Sequence, residues 1–156
     1  LKRITQNIKN NIMKKYFLIG IPVTFAVFFN LGYVFHDLLM GSWLHEKEAA
    51  ISREHYIIPV IALVFFLYVI IQSYLLPIFY YYSKAHYNWG IYKTALVFGA
   101  LIGFLWDALQ GGLIEYATFN LPIEVVFVDS SYHIFEGICT ALILAFFYSK
   151  YYKPKL

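Results

Sequence analysis

Charge is what this chain has least of. Only 13% of its residues are Asp, Glu, Lys or Arg, about half the share of an ordinary soluble domain. That shortage, beside 61% hydrophobic residues, excludes intrinsic disorder, which needs low hydrophobicity and high charge. Cysteine is almost missing as well. Cys139 stands alone, so no disulfide framework staples the fold. The modest net charge of +3 argues against a nucleic-acid partner, and its distribution has a better explanation below. Strand-like alternation is absent from the apolar stretches, which removes a transmembrane β-barrel from consideration. What the chain has in excess is aromatic residues, 21% of the total, and a mean hydropathy of +0.63. Together these specify an all-α integral membrane protein of a single domain, residues 1–156, with the bilayer as its first partner.

A membrane-crossing helix needs about 20 mostly apolar residues. Four stretches qualify, at about 16–39, 57–82, 91–113 and 123–148, and they predict a four-helix transmembrane bundle. Ahead of them, residues 1–15 read as an interfacial segment, because Ile4, Ile8 and Ile12 recur every four residues among Lys, Arg, Asn and Gln. Residues 40–56 form the longest connection and predict an amphipathic helix along the outer surface. In the second span Pro77 follows Gln72 and Ser73, which predicts a kink whose freed backbone groups are satisfied locally. Gly111 and Gly112, with Leu121-Pro122, bracket a short outer turn.

Basic residues orient the bundle, since cytoplasmic loops carry the excess of Lys and Arg. Ten of the twelve lie before the first span, between the second and third, or after the fourth; only Lys47 and Arg53 fall on the other side. Both termini are therefore expected in the cytoplasm, and the protein in an inner, cytoplasmic membrane as a multi-pass chain. None of the nine acids falls in a cytoplasmic segment. Tyr80, Tyr81, Tyr82, Trp89, Tyr148 and Tyr151 gather at the inner border, where amphipathic rings favour the headgroup level.

The ionisable residues inside the apolar spans carry the functional signal. Asp129, His133 and Glu136 follow one another at spacings of four and three. At about 100° per residue they share one face of the fourth helix, with Thr140 continuing the line. An ionised side chain near the bilayer centre costs about 2.5–3.5 kcal/mol even on insertion scales, so this face looks at protein or water. The third span offers a matching surface: Gly99, Gly103 and Asp107 recur every four residues, with Gln110 beyond. Small residues at this spacing admit close helix approach. Helices three and four are thus expected to be antiparallel neighbours, with the polar group between them or lining a cavity beside them. Gly137, Ala141 and Ala145 form a second small face, suited to another helix or subunit.

Asp107, Asp129, His133 and Glu136 are the candidate metal ligands, with His36, Asp37 and Gln110 as additional members. Three carboxylates and an imidazole suit a divalent ion such as Zn, Mn or Fe; the same groups suit a proton relay. The structural alternative is a hydrogen-bonded clamp between helices, completed by Ser130, Ser131, Tyr132 and Gln110. Haem is not expected, because counting helical rise puts His36 and His133 about 10 Å apart in depth.

Gly99 and Gly103, then Tyr116-Ala117-Thr118, Pro122 and Val128-Asp129, are similar in order and spacing to small uncharacterised bacterial membrane families of four helices. The likeness covers about residues 95–148. It implies the four-helix architecture and no activity, and His133 and Glu136 depart from its pattern. The leading expectation is an outward-facing intramembrane cluster that binds or passes a small cation, divalent metal or proton. The rival is a non-catalytic subunit of a larger membrane complex, in homo- or hetero-oligomeric contact with other membrane chains. No nucleophile motif accompanies the stripe, so an intramembrane enzyme ranks behind both.

Overall fold

The computed structural model describes residues 15–48, 57–106, 113–118 and 121–151. The proposed interfacial segment at the N-terminus, Asp107, Gln110 and the Gly111-Gly112 pair lie outside them. Every regular element described is helical. In chain order they are α1 (Tyr16–Leu39), α2 (Gly41–Glu48), α3 (Ile58–Tyr87), α4 (Ile91–Trp106), α5 (Leu113–Thr118) and α6 (Ile123–Tyr151). Three of these, α1, α3 and α6, are long and apolar enough to cross a membrane. The expected third span corresponds to α4, whose described part ends at Trp106. The outer connection begins as the helix α2, with Leu44 buried beneath it.

Local chemistry explains the helix ends. Pro59 occupies the first turn of α3, where a missing N–H costs nothing. At the other end Asn88 turns left-handed at φ 53°, a conformation that Asn tolerates better than most residues. Lys84 Nζ donates to Asn88 Oδ1 at 2.6 Å and fixes that cap. The helix therefore runs five residues past the boundary expected at 82, because Ser83–Tyr87 continues it as a polar turn. In α1 a π-helical turn, Tyr16–Gly20, directly precedes Pro22. A proline ring clashes with the carbonyl four residues back, and a widened turn relieves that clash. A second π turn, Val34–Leu39, carries His36 and has no proline to account for it.

The tightest seam joins α4 to α6. A Cβ on Gly99 would stand 2.5 Å from the Gly137 carbonyl oxygen, and one on Gly137 would stand 2.5 Å from that of Gly99. A Cβ on Gly103 would overlap the His133 carbonyl. The antiparallel neighbours read from the small-residue spacing are present. The small face of α6, Gly137, Ala141 and Ala145, is thereby taken by α4 rather than left for another subunit; Ala141 and Ala145 are fully buried with Ala95 and Phe98 of α4. Hydrocarbon offers no hydrophobic drive between helices, so backbone approach of this kind is what packing in a bilayer can use.

The kink expected at Pro77 is repaired from a neighbouring helix. Pro77 has no N–H, so the Ser73 carbonyl one turn earlier loses its helical partner. Tyr16 of α1 donates its hydroxyl to that oxygen at 3.0 Å. Tyr16 is fully buried, edge-on to Tyr148 of α6 at 5.6 Å, and so ties three helices at one level.

Three substitutions test this packing. Gly99→Ala should cost about 1–3 kcal/mol, because a methyl group placed on backbone forces the helices apart. Gly90→Ser, which meets nothing within 4 Å, should stay within about 0.5 kcal/mol. Tyr16→Phe should cost about 1–3 kcal/mol by orphaning a buried carbonyl. Reversible unfolding of the protein in detergent micelles measures all three; equal stability of Gly99→Ala and the parent would contradict the seam.

Candidate metal centre

The polar face of α6 meets α1. Gly32 of α1 leaves room for it: a Cβ there would lie 3.8 Å from Glu136 Oε1 and 3.2 Å from the Phe65 ring. One turn outward, His36 reaches the same face. His36 Nε2 lies 3.7 Å from Asp129 Oδ1, and His133 Nε2 lies 3.6 Å from Asp129 Oδ2. The two imidazole rings are 5.8 Å apart between centroids. One ligand atom from each of His36, Asp129 and His133 can be chosen so that all three fall within 4.8 Å of one another.

Those separations are informative. They exceed a hydrogen bond, for which about 2.7–3.2 Å is usual. Two ligands held about 2.1 Å from a tetrahedral ion would be about 3.4 Å apart. The two imidazole–carboxylate separations are close to such an edge, and the set of three falls within 4.8 Å. The side chains are 36%, 24% and 12% exposed for His36, Asp129 and His133, so the group is reachable from its outer end.

Glu136 lies outside that group of three. Its carboxylate is 1% exposed and turned away from the three donors. Oε2 accepts from His133 Nδ1 at 2.9 Å, and Oε1 accepts from the Tyr132 hydroxyl at 2.6 Å. An ionised carboxylate only accepts, a contact that favours the His133 tautomer with its proton on Nδ1 and puts Nε2 on the side of Asp129. This is the carboxylate–histidine arrangement that fixes ring orientation and tautomer behind a metal. Tyr132 is itself fixed by stacking on Phe35, with centroids 3.9 Å apart and planes 6° from parallel. Its ring also meets the edge of His36 at 5.2 Å.

Of the residues singled out by sequence, Asp129, His133 and His36 converge. Glu136 stands behind His133, and Asp107 and Gln110 lie outside the described residues. Asp37 does not join: it is exposed, because one residue beyond His36 is about 100° farther round the helix. The depth estimate that separated His36 from His133 is corrected by the 5.8 Å ring separation. It assumed that α1 and α6 end at one level. Instead α1 stops three residues beyond His36, while α6 continues ten residues outward from His133. The polar stripe also lies against α1, not α4, since the face toward α4 is the glycine and alanine one. Gly32, four residues before His36, was the available signal: it is the small residue that matches Glu136. Both imidazoles lean on the single Asp129 carboxylate, and the three residues could hold a metal ion.

Comparison with known proteins finds no matching family model, no matching curated protein and no matching solved structure. The chemistry of the site is accordingly read from its geometry.

The Glu136 hydrogen bonds generate a prediction. Glutamine at this position has one accepting oxygen for two donors, Tyr132 and His133. If its amide N–H faces the ring, the proton is driven to Nε2 and the ligand lone pair is lost. Glu136→Gln should therefore weaken divalent-metal affinity about 10–100-fold, the usual cost of removing an outer partner, while helix content by circular dichroism stays that of the parent. Unchanged affinity by isothermal titration would show that the carboxylate does not orient His133.

Proposed function

We propose that this protein is a multi-pass membrane protein that binds a divalent metal ion at the outer end of the seam between α1 and α6. His36 and His133 supply Nε2 nitrogens and Asp129 supplies carboxylate oxygen. The observation that carries this reading is the convergence of those three donors from two helices, with Glu136 placed to set the His133 tautomer. Three apolar helices of spanning length support the membrane assignment. The described part of α4 and the residues after it would complete a four-span bundle, with basic flanks holding both termini in the cytoplasm.

A set of two imidazoles and one carboxylate suits Zn or Fe(II), with at least one coordination position left for water or another ligand. The site's open side is its outer side, so an ion arriving from outside meets His36 first. Metal binding here requires unprotonated imidazoles and an ionised carboxylate. Affinity is thus greatest at neutral to mildly alkaline pH and falls as acid protonates the donors. Transit of the ion through the bundle is not part of the reading, because Glu136, Tyr132 and the glycine seam close in directly beneath the three donors.

The test is metal content by elemental mass spectrometry after gentle purification and dialysis against trace zinc, iron and manganese. The parent should retain near-stoichiometric metal. His36→Ala and His133→Ala should each lose it, whereas Asp37→Ala should keep it. Metal retained in both histidine variants, or absent from the parent, would overturn the proposal.

A further inference from the structure

Below the metal centre the core holds polar side chains that the site does not use. Thr24 of α1 and Gln72 of α3 have no exposed surface, and neither do Ser73 and Thr94. Most polar groups in such positions are satisfied: Ser73 Oγ donates to the Ile70 carbonyl and Thr140 Oγ1 to the Glu136 carbonyl. Thr24 Oγ1, Thr94 Oγ1, Gln72 Oε1 and Gln72 Nε2 are different, and none of these atoms has a hydrogen-bond partner among the described residues. The Tyr68 hydroxyl approaches the Gln72 amide without closing a bond of normal geometry.

Contacts on either side place Thr24 and Gln72 at one level. Gly32 of α1 abuts Glu136 of α6, and Tyr16 abuts Tyr148, so Thr24, halfway between, faces the stretch around Thr140. On α3, Tyr68 lies near Glu136 and Tyr80 near Tyr148. That constant offset sets Gln72 level with Thr140. One turn farther inward, Leu76 and Leu144 are both fully buried beside Ala95 and Ala141. Three helices thus contribute a polar layer, with Glu136 above it and Leu76 and Leu144 below.

The chemistry of the unmatched atoms identifies what fills their valences. Gln72 leaves both a donor and an acceptor open, and Thr24 leaves a hydroxyl that can serve as either. A cation would satisfy the oxygens and repel the amide N–H groups. An anion would do the reverse. Only a group that both donates and accepts serves all three, and buried polar atoms left bare each cost about 1–3 kcal/mol. We propose that the Thr24–Gln72–Thr140 layer is a binding site for trapped water, enclosed in the bundle beneath Glu136 and cut off from the inner end by Leu76 and Leu144. Water held at such sites typically bridges about three otherwise unsatisfied groups.

The inference does not depend on metal binding, and its test uses metal-free protein of unaltered sequence in lipid bilayers. Magic-angle-spinning NMR on glutamine side-chain 15N-labelled protein follows magnetisation passed from water. Gln72→Leu assigns the signal; Gln6→Glu and Gln110→Glu, which remove the other two glutamine amides, assign it by elimination if that variant does not fold. The Gln72 amide should gain water magnetisation well ahead of the Leu76 and Leu144 methyl groups, despite being equally buried. A Gln72 signal that rises no faster than those methyls would show the layer to be dry and overturn the proposal.

Discussion

The hydrogen bond from His133 to Glu136 is the constraint on which the arrangement of the outer bundle depends. A carboxylate that is 1% exposed between helices must find donors inside the protein, since hydrocarbon supplies none. Two are given to it, one from the imidazole three residues back along α6 and one from the adjacent tyrosine. Accepting them favours one tautomer and one orientation of His133. It also commits Tyr132 to the seam with α1, where stacking on Phe35 holds the two helices in register. His36 reaches Asp129 because that register is fixed.

Close backbone contact on the other side of α6 makes the burial possible. Gly137 lets α4 approach along one face while Glu136, about 100° away around the helix, projects toward α1. Two neighbouring residues thus serve two seams, and the larger side chain finds its space opposite Gly32. Tyr16 performs a comparable service at the inner end, where it closes the carbonyl that Pro77 leaves open. The Ser73 carbonyl is thus matched by a partner from a different helix, whereas Glu136 takes both its donors from its own helix and finds its space against another.

Much of this was legible in the residues alone. Length and apolar content gave the long helices α1, α3 and α6, and the glycine spacing of α4 gave its contact with α6. The four-then-three spacing of Asp129, His133 and Glu136 showed a shared face that could not turn to lipid. What periodicity could not supply was the relative height of two helices distant in sequence, and His36 was placed too far out for that reason. Nor does spacing distinguish a ligand from the group that orients a ligand. Glu136 and Asp129 look alike in the sequence, and burial and the two hydrogen bonds separate their surroundings. The π turn that carries His36 left no sequence mark, lacking the proline that accounts for the one at the start of α1.

The central claim is that an ion is held jointly by α1 and α6. X-ray absorption spectroscopy on zinc-loaded protein tests it most directly. The account predicts a shell of nitrogen and oxygen at about 2.0–2.1 Å with outer scattering from two imidazoles, reduced to one when His36→Ala is loaded at high zinc. An oxygen-only shell, or a spectrum that does not change on removal of His36, would contradict it.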